Sequence, residues 1–258
     1  MSDQEKKIPF FAETLSLSVT EMGRGQHYLV LHGGAGPASV AALAERLSQK
    51  GRVVVPILPG FSGRSRPDWF RRVDDVVTAY LALIERLDLS KVVVVGNSFG
   101  GWVAAEMALR HSKRVAGIVL LNAVGIDTGS ADKVIADPMK VPPEERTALS
   151  FHDPRKSFGN PSPEQLAVMA ENQKTLRVFA GEPFMHDPSL LGRLKGFSVP
   201  TLVAWGESDR IVDVDYGRRW TAGIPGARFH LVPEAGHFPQ IEQKEAIARL
   251  VEEFAAGL

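Results

Sequence analysis

Six short apolar runs, separated by amphipathic stretches, constrain this chain more than any other feature. They are His27–Leu31, Arg52–Leu58, Lys91–Val95, Val115–Leu121, Thr201–Trp205 and Arg228–Val232, each rich in Val, Ile or Leu. A strand that is apolar at nearly every position buries both faces, which is the habit of a parallel sheet covered by helices. Thr14–Val19 alternates instead and predicts an edge hairpin ahead of the runs. Between them, Ala38–Gln49, Val73–Leu87, Trp102–Arg110 and Glu242–Phe254 place apolar residues at helical spacing. Strand–helix alternation with right-handed crossovers predicts an α/β fold, a mostly parallel sheet flanked by helices.

The alternation stops between Asn122 and Ser198. These 77 residues hold 8 of the 17 prolines and no good strand, but they include a helical stretch, Glu164–Ala180. A structureless loop of that length is improbable in a compact domain. The expected arrangement is a helical cap, residues 125–196, inserted into a core formed by 1–124 and 197–258. Composition narrows the chemistry. With no cysteine, thiol nucleophiles, disulfides and Cys-ligated metals are excluded. Thirty Lys and Arg cancel thirty Asp and Glu, which argues against nucleic acid as a partner. No stretch approaches a membrane span, and the start MSDQEKKIPFFAE lacks the apolar core of a signal peptide. The expected location is the cytoplasm and the expected partner a small molecule; the oligomeric state stays open.

Gly96-Asn97-Ser98-Phe99-Gly100-Gly101 follows one buried run and opens a helical pattern. A Gly-x-Ser-x-Gly at such a bend puts Ser98 at the apex of a strained turn, with helix amides behind it. A serine hydroxyl needs a general base, and the base needs an orienting acid. Of seven histidines, His237 sits in the loop after the last run, on the same sheet edge as Ser98. His27 and His230 fall in strand runs, His111 ends a helix, and His152 and His186 lie in the cap. Asp209, in Trp205-Gly206-Glu207-Ser208-Asp209, is the expected acid, ahead of Glu207, Asp213 and Asp215. The chain order is then Ser, Asp, His. Two backbone donors should await an oxyanion: the amide of Phe99, and that of Gly34 or next Ala35 in His32-Gly33-Gly34-Ala35-Gly36. That loop matches neither the dinucleotide fingerprint nor the phosphate-loop pattern. Asp213 and Asp215 lack a third ligand at suitable spacing, so no metal is expected.

With these motifs, and with Pro59-Gly60-Phe61-Ser62-Gly63-Arg64-Ser65 and Ala235-Gly236-His237, the chain resembles the alpha/beta-hydrolase superfamily from about Leu15 to Phe254. The resemblance implies an eight-stranded sheet, a cap after the sixth strand, a Ser98–His237–Asp209 triad and no cofactor. Ser98 stands where haloalkane dehalogenases and epoxide hydrolases carry aspartate. The elbow is similar to that of meta-cleavage product hydrolases, which implies that Asn97 helps hold a dienone. Phe238 departs from the Trp usual there, and their cap arginine has candidates in Arg155, Arg177 and Arg193. The expectation ranks hydrolysis of small, largely apolar carboxylic esters first, carbon–carbon cleavage of ring-fission dienones second, and a ligand-binding protein with a slow triad third. Met139, Phe151, Phe158, Met169, Phe179, Phe184 and Met185 are candidate pocket residues, with cap packing as the plainer role.

Overall fold

The computed structural model describes residues 5–130, 133–157, 159 and 161–258. Eight strands form one sheet in the order β1-β2-β4-β3-β5-β6-β7-β8. They are β1 (Glu5–Phe10), β2 (Leu15–Gly23), β3 (Gln26–Leu31), β4 (Gly51–Ile57), β5 (Val92–Asn97), β6 (Val115–Leu121), β7 (Thr201–Gly206) and β8 (Arg228–Val232). β1 and β2 form the antiparallel edge hairpin and β2 runs antiparallel to β4; from β4 to β8 all pairing is parallel. Side chains alternate across the sheet, which explains the continuous runs. In β5, Val92 and Val94 join one core with α2 (Val73–Arg86) and α3 (Phe99–Leu109), while Val93 and Val95 join the other with α1 (Ala38–Ser48) and α9 (Lys244–Ala256).

One expectation is corrected and one boundary shifts. Arg228–Val232, read as buried on both faces, is the edge strand β8, and only Val232 in it is buried. It has a neighbour on one side only, and Arg228 lies over the Phe254 ring at 5.4 Å. The helix expected over Glu242–Phe254 is α9, which starts two residues later, at Lys244, after the short helix α8 (Pro239–Glu242), because Gln243 leaves helical geometry at φ −127° and ψ 43°.

Between β6 and β7 the described residues contain helices but no strand. These are α4 (Pro143–Ser150), α5 (Pro163–Ala180), α6 (Leu190–Arg193) and three single 3-10 turns; α7 (Val214–Gly223) follows β7. Ser162 starts α5 with a reciprocal capping box to Gln165. The two ends of this insert pack with the main core: Ala123, Val124 and Ile126 at one end, Leu190 and Leu194 at the other, are fully buried there. Its middle, carrying α4 and α5, lies over the C-terminal edge of the sheet, where its residues share a cavity with Ser98 and His237.

Candidate active site

β5 ends at Asn97 and α3 starts at Phe99, so Ser98 makes the whole turn, at φ 55° and ψ −118°. A non-glycine residue adopts such angles only where its surroundings compel it. The bend is crowded: a Cβ on Gly96 would lie 2.2 Å from the Gly100 carbonyl oxygen, and one on Gly100 would lie 2.4 Å from that of Leu31. Glycine is therefore the residue that fits both positions. Opening α3, the Phe99 amide has no acceptor within its own helix, and the positive end of the helix faces Ser98.

Loops after β7 and β8 bring Asp209 and His237 together, with His237 Nδ1 2.8 Å from Asp209 Oδ2. Both residues are buried. Asp209 accepts from three further donors, the amides of Ile211 (2.7 Å) and Val212 (3.2 Å) and the Asn122 side chain (2.7 Å). With Asp209 as acceptor, the proton sits on Nδ1 of His237 and leaves Nε2 as a base. Glu207 is exposed, and Asp213 caps α7 while pairing with Lys133 at 2.8 Å. Asn122 belongs to no motif legible in the sequence. It is fully buried just past β6, donates to Asp209 and accepts from the Gly206 amide at 3.1 Å, so it ties the acid loop to the sheet. A polar residue closing the run Val-Leu-Leu was its only signal.

Gly33 lies against Ser98: a Cβ there would be 2.8 Å from Ser98 Cβ. The peptide joining Gly33 to Gly34 is held from behind by His32. The His32 ring accepts from the Leu58 amide through Nε2 at 3.1 Å, so Nδ1 carries the proton and donates to the Gly33 carbonyl at 2.8 Å. Burial pushes the His32 imidazole down to about 4, and it stays neutral. In a trans peptide, C=O and N–H point opposite ways; clamping the Gly33 carbonyl aims the Gly34 N–H away from His32. Gly34 lines the cavity, and its own carbonyl accepts from Gln173 of α5 at 3.0 Å.

A cavity of about 570 Å³ lies between sheet edge and insert, lined by Ser98, His237, Gly34 and Ala35 from the core. Met139, Phe151, Met169, Phe184 and Met185 line it. Phe179 does not; it packs in the core, with its ring 5.9 Å from those of both Phe70 and Phe99. Phe158 lies outside the described residues. Phe238 lines the cavity and sits 5.1 Å from the Phe151 ring. Asn97, expected to hold substrate, lies beneath the elbow and not among the cavity-lining residues: its Nδ2 donates to the carbonyls of Leu121 (3.1 Å) and His237 (3.0 Å), and its buried Oδ1 has no hydrogen-bond partner among the described residues. Of the candidate arginines, Arg155 pairs with Asp153 and Arg193 with Glu106, both away from the cavity; Arg177 lines it but pairs with Asp137 at 2.9 Å. Arg146 of α4, not anticipated, also lines it, and among the described residues it makes no ion pair.

A sharp strand–helix turn at Ser98 on a mostly parallel sheet, a buried Asp209–His237 pair on the same edge and a cavity under a helical insert are the frame of a hydrolase. The chain belongs to the alpha/beta hydrolase family, whose signature matches residues 28–250. It is 29% identical to a 2-hydroxymuconate semialdehyde hydrolase of Pseudomonas putida, covering 92% of this chain and 89% of that one. It is 31% identical to a 2-hydroxy-6-oxononadienedioate/2-hydroxy-6-oxononatrienedioate hydrolase of the same species, covering 93% and 91%. Among solved structures, the meta-cleavage product hydrolase of Pseudomonas fluorescens IP01 superposes with a TM-score of 0.76 at 25% identity over 93% of each chain. A thermophilic esterase from Thermogutta terrifontis gives 0.79 at 25% identity over 98% of each. No helix among the described residues is long and apolar enough to cross a membrane.

Proposed function

We propose that the protein is a serine hydrolase in which Ser98 attacks a carbonyl carbon, His237 Nε2 takes the Ser98 proton, and Asp209 holds His237 in the required tautomer. The observation that carries this is the convergence of Ser98, His237 and Gly34 on one cavity, with Asp209 hydrogen-bonded behind the imidazole. The tetrahedral oxyanion is received by the amides of Gly34 and Phe99. An ester collapses by expelling alkoxide, whereas a ring-fission dienone must first be ketonised, its 2-hydroxyl proton moving to C5, so that the departing carbon leaves as a conjugated enolate; in either case His237 returns the proton to the leaving group, and water then hydrolyses the acyl-enzyme. We further propose that α4 and α5 form a lid that excludes bulk water and supplies the substrate pocket.

For the substrate, carbon–carbon cleavage of a ring-fission dienone comes ahead of ester hydrolysis. Arg146 supports this order: an arginine in a largely apolar cavity, without an acidic partner among the described residues, suits a substrate carboxylate. The names of the similar Pseudomonas hydrolases point the same way. Ester hydrolysis is the second reading, favoured by Phe238, which offers no hydrogen bond to a dienone. The deciding measurement is kcat/KM on a 6-methyl ring-fission dienone beside p-nitrophenyl butyrate, in the parent and in Arg146→Met. The dienone should be the better substrate. The variant should raise its KM by about 10–100-fold, the size of a lost charged hydrogen bond, with little change for the butyrate. A better rate on the butyrate, indifferent to Arg146, would make the protein an esterase.

A further inference from the structure

Glu242 ends α8, is 6% exposed and does not line the cavity. Its carboxylate accepts three main-chain amides from two separate parts of the chain. Oε2 takes Gly236 N–H at 2.6 Å and His152 N–H at 3.2 Å; Oε1 takes Asp153 N–H at 2.9 Å. Gly236 directly precedes His237, whereas His152 and Asp153 belong to the insert, just past α4. The same stretch of the insert grips the site elsewhere. His237 N–H donates to the Ser150 carbonyl at 2.7 Å and Arg210 N–H to that of Leu149 at 3.1 Å, while the His152 ring meets Ser208 Oγ at 2.8 Å. Residues 149–153 thus form a strap that crosses both the loop carrying Asp209 and the loop carrying His237. The fit is tight: a Cβ on Gly236 would lie 2.5 Å from the Ser150 carbonyl oxygen.

A buried carboxylate needs donors wherever the fold supplies them. This one reaches about ninety residues back along the chain and joins the strap to the residue before His237. Charge-assisted bonds of this kind are short and directional, so they set spacing as well as energy. We propose that Glu242 is a positioning residue for the reaction: by clamping the strap to the Gly236–His237 peptide it sets where the imidazole stands over Ser98. This rests on His237 being the general base. Displacements of the order of an ångström in such a group cost rate and leave binding intact.

The test is Glu242→Gln, which keeps volume but turns an NH₂ toward at least one amide donor, with Glu242→Asp as a second variant that keeps the charge and withdraws it. Turnover of p-nitrophenyl butyrate is measured per active site, titrated with a fluorophosphonate, alongside hydrogen exchange at Gly236 and at His152–Asp153. Glu242→Gln should lower kcat per titrated site by about 10–100-fold with KM within about twofold, and exchange should quicken at both segments together. Glu242→Asp should lie between it and the parent, and it carries the test alone if the glutamine variant does not fold. Unchanged kcat per titrated site, with only fewer active sites or a lower Tm, would show a purely structural residue and overturn the proposal. Ser98→Ala in the same assay separates the two ideas: activity surviving there would sink the serine-hydrolase reading itself.

Discussion

At position 98 the backbone holds a conformation that costs about 1–3 kcal/mol for a non-glycine residue, and the return is a hydroxyl at the cavity floor with helix amides beside it. Ser98→Ala is expected to lower kcat by about 10⁴–10⁶ while far-UV circular dichroism stays unchanged. Asp209→Asn should cost about 10⁴ through the wrong imidazole tautomer, while Glu207→Gln, at an exposed position, should leave kcat within about twofold; comparable losses for both would overturn the assignment of Asp209. His32 makes a pH-dependent contribution of fixed sign. The unfolded imidazole takes its proton near pH 6.5 and the buried one only near 4. Between these values the unfolded chain binds more protons, so stability is full above pH 6.5, falls as pH drops, and has lost about 3 kcal/mol by pH 4. Urea denaturation at pH 7 and pH 5 should show a smaller acid loss in His32→Gln than in the parent, by about 2 kcal/mol. An equal loss in both would place that titration elsewhere.

The elements divide by what holds them. β5 is buried along its whole length between two helical layers, whereas α5 has only Asn172, Phe179 and Ala180 buried. Its attachment to the core includes three side-chain hydrogen bonds in sequence: Asn172 accepts from the Ser62 amide (2.7 Å), Gln173 donates to Gly34 O (3.0 Å) and Thr175 to Gly60 O (3.0 Å). Few buried contacts mean a low free energy of local opening. Amides of α4 and α5 should therefore exchange faster than those of Val92–Val95 by hydrogen–deuterium exchange, and uniform protection across both would argue against a separately opening lid. α5 is legible in the sequence because its period and its Ser162-Pro163-Glu164-Gln165 start are local. β8 departs from the two-sided burial its run predicts because five residues cannot report whether a neighbour lies on one side or two.

For the molecule as a whole, Ser98, Asp209, His237 and the Gly33–Gly34 loop all follow C-terminal ends of parallel strands, the place where an α/β sheet gathers loops from distant sequence. The insert closes that edge into a space of about 570 Å³, which lies in the range of small-molecule sites. Its size bounds the substrate. Specificity constants for p-nitrophenyl esters should fall at least about tenfold from butyrate to palmitate, since a chain too long for the cavity enters only by displacing packed side chains of the insert. A constant that rose with chain length would mean a lid that opens widely on a lipid-like substrate.

What the sequence determined by itself was everything carried by local pattern. Apolar runs set the strands, and helical spacing set α1, α2 and α5. The glycines around Ser98 marked a bend that only small residues permit, and strand ends placed His237 and Asp209 on one edge. Tertiary structure alone decided where polar side chains go once those ends meet. Asn97 spends its amide on the carbonyls of Leu121 and His237 and leaves the cavity; Asn122 reaches Asp209 and Glu242 reaches the strap across nearly ninety residues; Arg146, rather than Arg155 or Arg193, faces the cavity. The reason is physical: burial along a strand or helix repeats with the backbone and shows in the residue period. A hydrogen-bond partner is chosen by direction and distance among segments that no short-range pattern links.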